Sequence, residues 1–259
     1  MDLKSVSQKL HARSAVLLLS LENRLERILI GWLLFAGLCC AVRIAVSPLP
    51  SGTFAALASV APYLLVITAP FISTMLALRW FGRREDQPQP SIRLARVGSW
   101  RTMSKAEARK HPLYGTTGIM VSLLIGMLLN VPVRALEYFA AMPPAGPISP
   151  PWLSTLRFAM TLDVVLFSSL YMIAFVAALR RAPLFPRLLA AIWLGDITMQ
   201  LVTAKVTAAA HLPDGVAVAL QGLLEGNLKK VLISIGIWLP YLLLSRRVNV
   251  TYRQRVPAP

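Results

Sequence analysis

Acidic residues and long polar segments are both scarce in this sequence. Its 259 residues contain 11 Asp and Glu against 27 Lys and Arg, which gives a formal net charge of +16. The longest polar stretch covers only residues 79–114. With 56% hydrophobic residues and a mean hydropathy of +0.61, the chain is too apolar for an ordinary soluble domain.

Cysteine, histidine and catalytic motifs are lacking as well. The two cysteines, Cys39 and Cys40, are neighbours inside one apolar run, where they cannot form an ordinary structural disulfide. The three histidines fall in separate segments and have no metal-ligand spacing. There is no Walker loop, HExxH or GxSxG motif. We therefore expect no metal, no cofactor and no enzymatic activity.

Six long apolar runs dominate what is present. A bilayer core of about 30 Å requires about 20 apolar residues per helix. Helices suit such a core because every backbone polar group finds its partner within the segment. The runs cover residues 28–46, 54–78, 115–133, 158–179, 188–205 and a last stretch ending at 244. The sequence predicts an all-α, polytopic membrane protein with six transmembrane helices.

The basic residues are concentrated on alternate connectors. Of the 27 Lys and Arg, 21 lie within residues 1–27, 79–110, 180–187 and 246–255. This asymmetry predicts that both termini are cytoplasmic. It also indicates that the positive charge reflects the membrane topology and attracts anionic lipid headgroups, rather than serving to bind nucleic acid.

Five segments follow from this pattern. They are a cytoplasmic or interfacial amphipathic helix (1–27), a two-helix membrane unit (28–78), a basic cytoplasmic connector (79–114), a four-helix membrane unit (115–245) and a basic cytoplasmic tail (246–259). The helical periodicity of residues 3–27 fits an interfacial helix or an extension of the first span equally well. The connector is expected to form a short basic helix with Trp100 at the headgroup level. Residues 216–224 are expected to form an interfacial or re-entrant helix.

Charged residues recur at one depth in five of the spans. At 1.5 Å per residue from the cytoplasmic boundaries, the charges on these five helices lie about 22 to 27 Å deep. Two neighbouring charged residues, Glu137 and Lys229, are added to these five. The predicted layer therefore consists of Arg43, Arg134, Glu137, Asp163, Lys205, Lys229 and Lys230. Charges at membrane depth are costly and point to function by default.

Two interpretations of this layer remain open. The side chains can snorkel to the outer headgroups or pair with one another between helices. Alternatively, five cationic and two acidic residues form an outer polar vestibule of formal charge +3, which favours an anion or a lipid headgroup.

Asp196 is expected to be different from the residues of this layer. Its estimated depth is about 12 Å, where an isolated carboxyl would be protonated or paired. Thr198, Gln200 and Thr203 could extend a polar path from it along the same span. The depth difference from Asp163, and the sequences flanking both residues, argue against an intramembrane aspartyl protease.

The end of the last span carries a specific motif. Residues 235–252 read IGIWLPYLLLSRRVNVTY, including Trp238, Pro240, Tyr241, Ser245, Arg246 and Arg247. This stretch resembles the C-terminal signature of a bacterial membrane protein family catalogued as domain of unknown function 2569. The resemblance covers residues 113–252 at most, implies a four-helix unit in a bacterial inner membrane, and assigns no activity. The motif residues themselves suit an anchor at the inner interface.

The sequence therefore predicts a non-enzymatic accessory or scaffold protein. Its expected partners are membrane lipids, other membrane proteins or further copies of the chain. The alternative is a small transporter for an anionic solute or lipid that uses the outer polar vestibule.

Overall fold

The computed structural model describes residues 3–47, 52–82, 88–91, 98–144 and 149–258. Within these ranges the chain forms eight helices and two short strands. In chain order they are α1 (Leu3–Ala45), α2 (Thr53–Gly82), β1 (Trp100–Thr102), α3 (Lys105–Lys110), α4 (Ile119–Ala141), α5 (Pro151–Leu179), α6 (Phe185–Ala209), α7 (Asp214–Leu244), α8 (Arg246–Arg253) and β2 (Arg255–Pro257). The six long helices are apolar enough to cross a membrane, consistent with the predicted multi-pass architecture.

Helix α5 lies at the centre of the bundle. It packs against α2, α4 and α6. In the most apolar 18-residue stretch of α5, 67% of the residues are buried inside the protein, compared with 17% in the corresponding stretches of α1 and α7. Two groups of buried residues surround it, one around Phe167 and Phe175 and one around Tyr63 and Tyr138. Helices α1 and α7 consequently leave most of their apolar surface uncovered.

Helix α1 continues without a break from Leu3 through the first predicted span. Leu18, Leu25 and Leu29 are buried against the bundle, and the Gly118 backbone N–H donates to the Ser14 hydroxyl at 2.8 Å. Of the two alternatives for residues 3–27, the backbone therefore matches an extension of the first span. Residues 1 and 2 of the predicted N-terminal segment lie outside the described residues.

Helix α7 is likewise a single helix. Residues 216–224, expected as a separate interfacial or re-entrant helix, are its first turns. The expectation of a separate helix was wrong because the hydrogen-bonded helix continues through this stretch into the last span. Gly222 and Gly226 lie in a continuous helix, and nothing lies within 4 Å of a Cβ added at either position.

One end of the bundle carries a folded cap, which we define as residues 98–118 and 245–258. Strands β1 and β2 pair antiparallel, with Trp100 opposite Pro257 and Thr102 opposite Arg255. Helix α3 begins with a capping box: the Ser104 hydroxyl accepts from the Glu107 N–H at 3.2 Å, and a Glu107 carboxylate oxygen accepts from the Ser104 N–H at 2.8 Å. The predicted connector and tail thus meet in one small structure. Residues 83–87 and 92–97 of that connector lie outside the described residues.

Buried polar side chains attach helix α8 to the rest of the cap and to the bundle. The Asn249 amide donates to the Leu243 and Ser245 carbonyls, and its oxygen accepts from Arg255 Nε at 2.7 Å. The Thr251 hydroxyl accepts from the Gly115 N–H at 3.0 Å. The Tyr252 hydroxyl donates to the Ala178 carbonyl at the end of α5, at 2.9 Å. Residues 246–258 are therefore ordered by packing.

The expectations for the aromatic and basic residues at this end were partly wrong. Trp100 lies in β1, not in a helix, because its strand finds a partner in β2; the Arg255 guanidinium stacks 4.8 Å from its ring centroid. In the family-like motif, Pro240 lies inside α7 and the rings of Trp238 and Tyr241 meet edge to face. Ser245 is the residue that precedes α8, Arg246 is exposed, and Arg247 donates to the Thr117 hydroxyl at 2.8 Å.

We expect Tyr252→Phe to lower the free energy of unfolding by about 1 kcal/mol, because the Ala178 carbonyl loses its donor. Burial raises the pKa of Tyr252, so its neutral phenol favours the folded state fully below the unfolded pKa of about 10. That contribution is lost as pH rises above this value. Unfolding measured in detergent at several pH values should show the gap between wild type and variant shrinking at alkaline pH. A gap that stays constant with pH would contradict this assignment.

Candidate functional site

Arg134 of α4 is buried in the bundle between carboxyl groups of two other helices. Its side chain is 6% exposed, and each of its three guanidinium nitrogens donates a hydrogen bond. Nη1 donates to an Asp163 oxygen on α5 at 3.0 Å, and Nη2 donates to an Asp196 oxygen on α6. Nε donates to the Asn130 side-chain oxygen at 3.0 Å. One side chain therefore connects three helices.

Two further side chains complete the hydrogen bonding of the carboxylates. The Gln200 amide donates to the second oxygen of Asp163 at 3.0 Å and to that of Asp196 at 3.3 Å. The Tyr171 hydroxyl donates to Asp196 at 3.2 Å. All four carboxylate oxygens thus accept a hydrogen bond, as buried charged groups require. We call this set, Asn130, Arg134, Asp163, Tyr171, Asp196 and Gln200, the Arg134 cluster.

Helical spacing explains why the cluster assembles. Asn130 and Arg134, like Asp196 and Gln200, are four residues apart and so share a helix face. Asp163 and Tyr171 are eight residues apart, with Phe167 between them, and the three lie on one face of α5. The Arg134 guanidinium carbon lies 5.3 Å from the Phe167 ring centroid, within the range of a cation–π interaction. The polar faces of α4, α5 and α6 consequently converge.

The cluster contains more acid than base. Two carboxylates and one guanidinium give a formal charge of −1 when all three groups are ionised. Asp196 is completely buried and Asp163 is 5% exposed. An uncompensated charge at such a site is costly, since the interior stabilises it poorly. One added proton would make the cluster neutral.

A polar stripe leads away from the cluster along α6. Asp196, Gln200, Thr203 and Thr207 are all buried and lie on one face of the helix. The Thr207 hydroxyl donates back to the Thr203 carbonyl at 2.7 Å. Beside this stripe a cleft of about 450 Å³ opens between α6 and α7, and Gln200, Thr207, Gln221 and Glu225 are among its lining residues. Gln200 belongs to both the cluster and the cleft.

The estimated depth of Asp196 was wrong. The sequence placed it alone near 12 Å, about half a membrane core away from Asp163, whereas both carboxyl groups bind the same guanidinium and the same amide. The estimate counted from residue 188, but α6 begins at Phe185, which adds about 4.5 Å.

The other members of the predicted layer do not join the cluster. Arg43 donates to the Met142 carbonyl at 3.4 Å, a carbonyl that also accepts from the Tyr63 hydroxyl. Lys230 of α7 pairs with Glu137 of α4. Lys229 lies 3.8 Å from Glu225 in a largely exposed pair, and Lys205 is exposed. Depth counting gives no rotation about the helix axis, and rotation is what separates these side chains.

Several residues of the site could be identified from the sequence pattern. Gln200 was assigned to the polar path from the sequence, and it does line that face of α6 with Thr203. Thr198 is exposed and donates to the Leu194 carbonyl, so it lies off the path. Asn130 and Tyr171 were missed, although their spacing of four and eight residues from the charged residues of their own helices was visible.

Three comparisons with known proteins give no match. No family model fits the chain, and neither the curated proteins nor the solved structures include a significant relative. The resemblance of residues 113–252 to the uncharacterised family therefore stays a prediction. The observed chemistry is that of a membrane-type helical bundle with a buried Arg–Asp–Asp cluster.

We expect Arg134→Met to destabilise the folded protein by about 3–5 kcal/mol, because it leaves two buried carboxyl groups without their cation. Arg134→Lys keeps the charge but loses the planar fork, so its effect should be intermediate. Thermal unfolding of the purified variants in mild detergent would measure both. Lys229→Met, at an exposed pair, is the matched control. Equal unfolding temperatures for Arg134→Met and this control would contradict a structural role for the cluster.

Proposed function

We propose that this protein is a small proton-coupled membrane carrier in which the Arg134 cluster binds and releases one proton. The observation that carries the proposal is the single guanidinium held between two buried carboxyl groups. Fully ionised, the cluster has a formal charge of −1 in a low-dielectric bundle, and one bound proton neutralises it.

Proton binding would change which helices the guanidinium connects. A protonated carboxyl becomes a hydrogen-bond donor at one oxygen and attracts Arg134 less strongly. Arg134 would then be held mainly by the remaining carboxylate, on α5 or on α6. Since Asp163 and Asp196 lie on different helices, the number of bound protons would shift the balance between the α4–α5 and α4–α6 contacts. That shift is the step a carrier needs in order to couple protonation to movement.

The polar face of α6 supplies a route for the proton. Gln200 contacts both carboxylates and also lines the cleft between α6 and α7. Glu225 of α7 lines the same cleft and is exposed. Gln200 is thus the residue that the cleft and the two carboxyl groups have in common.

A second candidate function is a non-enzymatic accessory or scaffold protein. It is favoured by the small buried share of the α1 and α7 spans, 17% each, which leaves apolar faces for lipid, a membrane-protein partner or a further copy of the chain. In that case the Arg134 cluster only fixes the helices, and its proton, if bound, stays in place.

Infrared spectroscopy of the purified protein distinguishes the two functions through the C=O stretch of protonated carboxylic acids. For the carrier, wild type should show one buried protonated carboxyl that appears as the pH is lowered and disappears as it is raised, because the cluster binds and releases a proton. Asp163→Asn and Asp196→Asn should each remove it, since the remaining Asp and Arg134 are then neutral together. The band should shift in D₂O, because the proton exchanges through the α6–α7 cleft.

Glu225→Gln is the matched control, since it replaces an exposed carboxyl of the same cleft and should leave the band unchanged. Absence of the band from wild type, or its persistence in both Asn variants, would refute the proton site. A band that never shifts in D₂O would assign the proton to a sealed structural cluster and favour the accessory protein.

We also propose that the protein lies in a bacterial inner membrane with both termini in the cytoplasm, as the charge asymmetry and the family resemblance predict. An even number of candidate spans is consistent with both ends on one side. Green fluorescent protein fused after residue 258 should therefore fluoresce, and alkaline phosphatase fused there should be inactive. A phosphatase fused after Met142, between α4 and α5, should be active. The reverse pattern would contradict the orientation.

A further inference from the structure

A basic cleft lies where the cap meets the ends of the long helices. Its volume is about 590 Å³, within the range of about 300–1,000 Å³ that ligand sites commonly have. Four cationic side chains line it: Lys105 and Arg109 from α3, and Arg180 and Arg181 from the turn between α5 and α6. Phe81 and Gly82, at the end of α2, form part of the wall nearest the long helices.

Local structure aims these four side chains at a common space. Lys105 and Arg109 are four residues apart on α3, whose orientation is fixed by the Ser104–Glu107 capping box. Arg181 has a left-handed backbone (φ 56°), and its N–H bonds the Ala178 carbonyl at 3.0 Å. Its guanidinium lies over the Tyr114 ring, 5.6 Å from the centroid. The cations therefore come from two separate elements that line the cleft, α3 and the turn between α5 and α6.

The lining of this cleft, taken over the described part of the chain, contains no Asp or Glu. The nearby Glu107 accepts from Ser104 within its own helix cap and does not line the cleft. Further positive charge lies within the cap. Burial, followed by repulsion from Arg255 and Arg187, lowers the pKa of Arg253 to about 10. A cleft lined by several cations favours the binding of an anion.

We propose that this cleft binds a phosphate-bearing anion. Arginine guanidinium groups bind phosphate through paired N–H bonds, and three of the lining residues are arginines. The site is independent of the Arg134 cluster, since none of its lining residues belongs to that cluster. Its ligand has two possible sources, an anionic lipid headgroup or a soluble phosphate compound, and both present the same phosphate chemistry.

The position of the cleft suits either source. Phe81, from the end of α2, and Pro183, from the turn between α5 and α6, border it where the headgroup of a lipid would lie if the six helices cross a bilayer. Arg109 and Arg180 are exposed, so a soluble anion could enter from water.

Binding assays with the full-length purified protein test the proposal. The lipid probe is dioctanoyl phosphatidylglycerol, with dioctanoyl phosphatidylcholine as the neutral control, and the soluble probe is pyrophosphate. Titration calorimetry in a non-ionic detergent measures each. Arg181→Gln and Arg109→Gln should each weaken binding of the preferred probe about tenfold, because each removes a charge-assisted hydrogen bond.

Arg246→Gln is the matched control, because Arg246 is an exposed arginine of the same cap that does not line the cleft; its affinity should stay within about twofold of wild type. Binding of phosphatidylglycerol alone identifies a lipid headgroup, and binding of pyrophosphate alone identifies a soluble ligand. Failure of both probes to bind, or equal weakening by all three substitutions, would overturn the proposal. Unchanged unfolding temperatures of the variants show that a lost affinity reflects the cleft rather than misfolding.

Discussion

The structure depends above all on the pairing of Arg134 with Asp163 and Asp196. Without this guanidinium the centre of an apolar bundle would contain two carboxyl groups and an amide with too few partners. With it, α4, α5 and α6 are joined through one rigid, planar group, while the aromatic rings of Phe167 and Tyr171 cover its faces. Apolar packing alone would permit several rotations of these helices; the polar contacts select one.

The features of the fold that depend only on position along the chain were predictable. Run length and hydropathy located all six long helices, because spanning requires a fixed number of apolar residues. Depth counting also brought Arg134 and Asp163 to a similar level. Depth counting failed for Asp196, and it did not predict that Lys205 and Lys229 lie apart from the cluster. The rotation of a helix about its axis and its offset along that axis depend on packing between distant segments. The cap could not be predicted for the same reason. Its strands are three residues long and lie some 150 residues apart in the chain, so they leave almost no local sequence pattern.

The two polar regions differ in how their charge is balanced. In the Arg134 cluster every carboxylate oxygen has a donor and each guanidinium nitrogen donates a hydrogen bond, so its charge balance depends on one proton. In the basic cleft four cations line one cavity, and the described lining includes no acidic side chain. The first site is thus complete within the bundle, whereas the second is completed by something brought to it.

The β1–β2 ribbon has a consequence for the order of assembly. Strand β2 follows all six long helices in the chain, yet its partner β1 precedes four of them. The ribbon can therefore form only after the last long helix has been made and placed. Because Thr251 and Gln254, next to β2, and Lys105 and Arg109, next to β1, line one cleft, that cleft is incomplete until the C-terminal end of the chain has been made and has joined the cap. A bundle that has not yet inserted its last helix has no such binding surface.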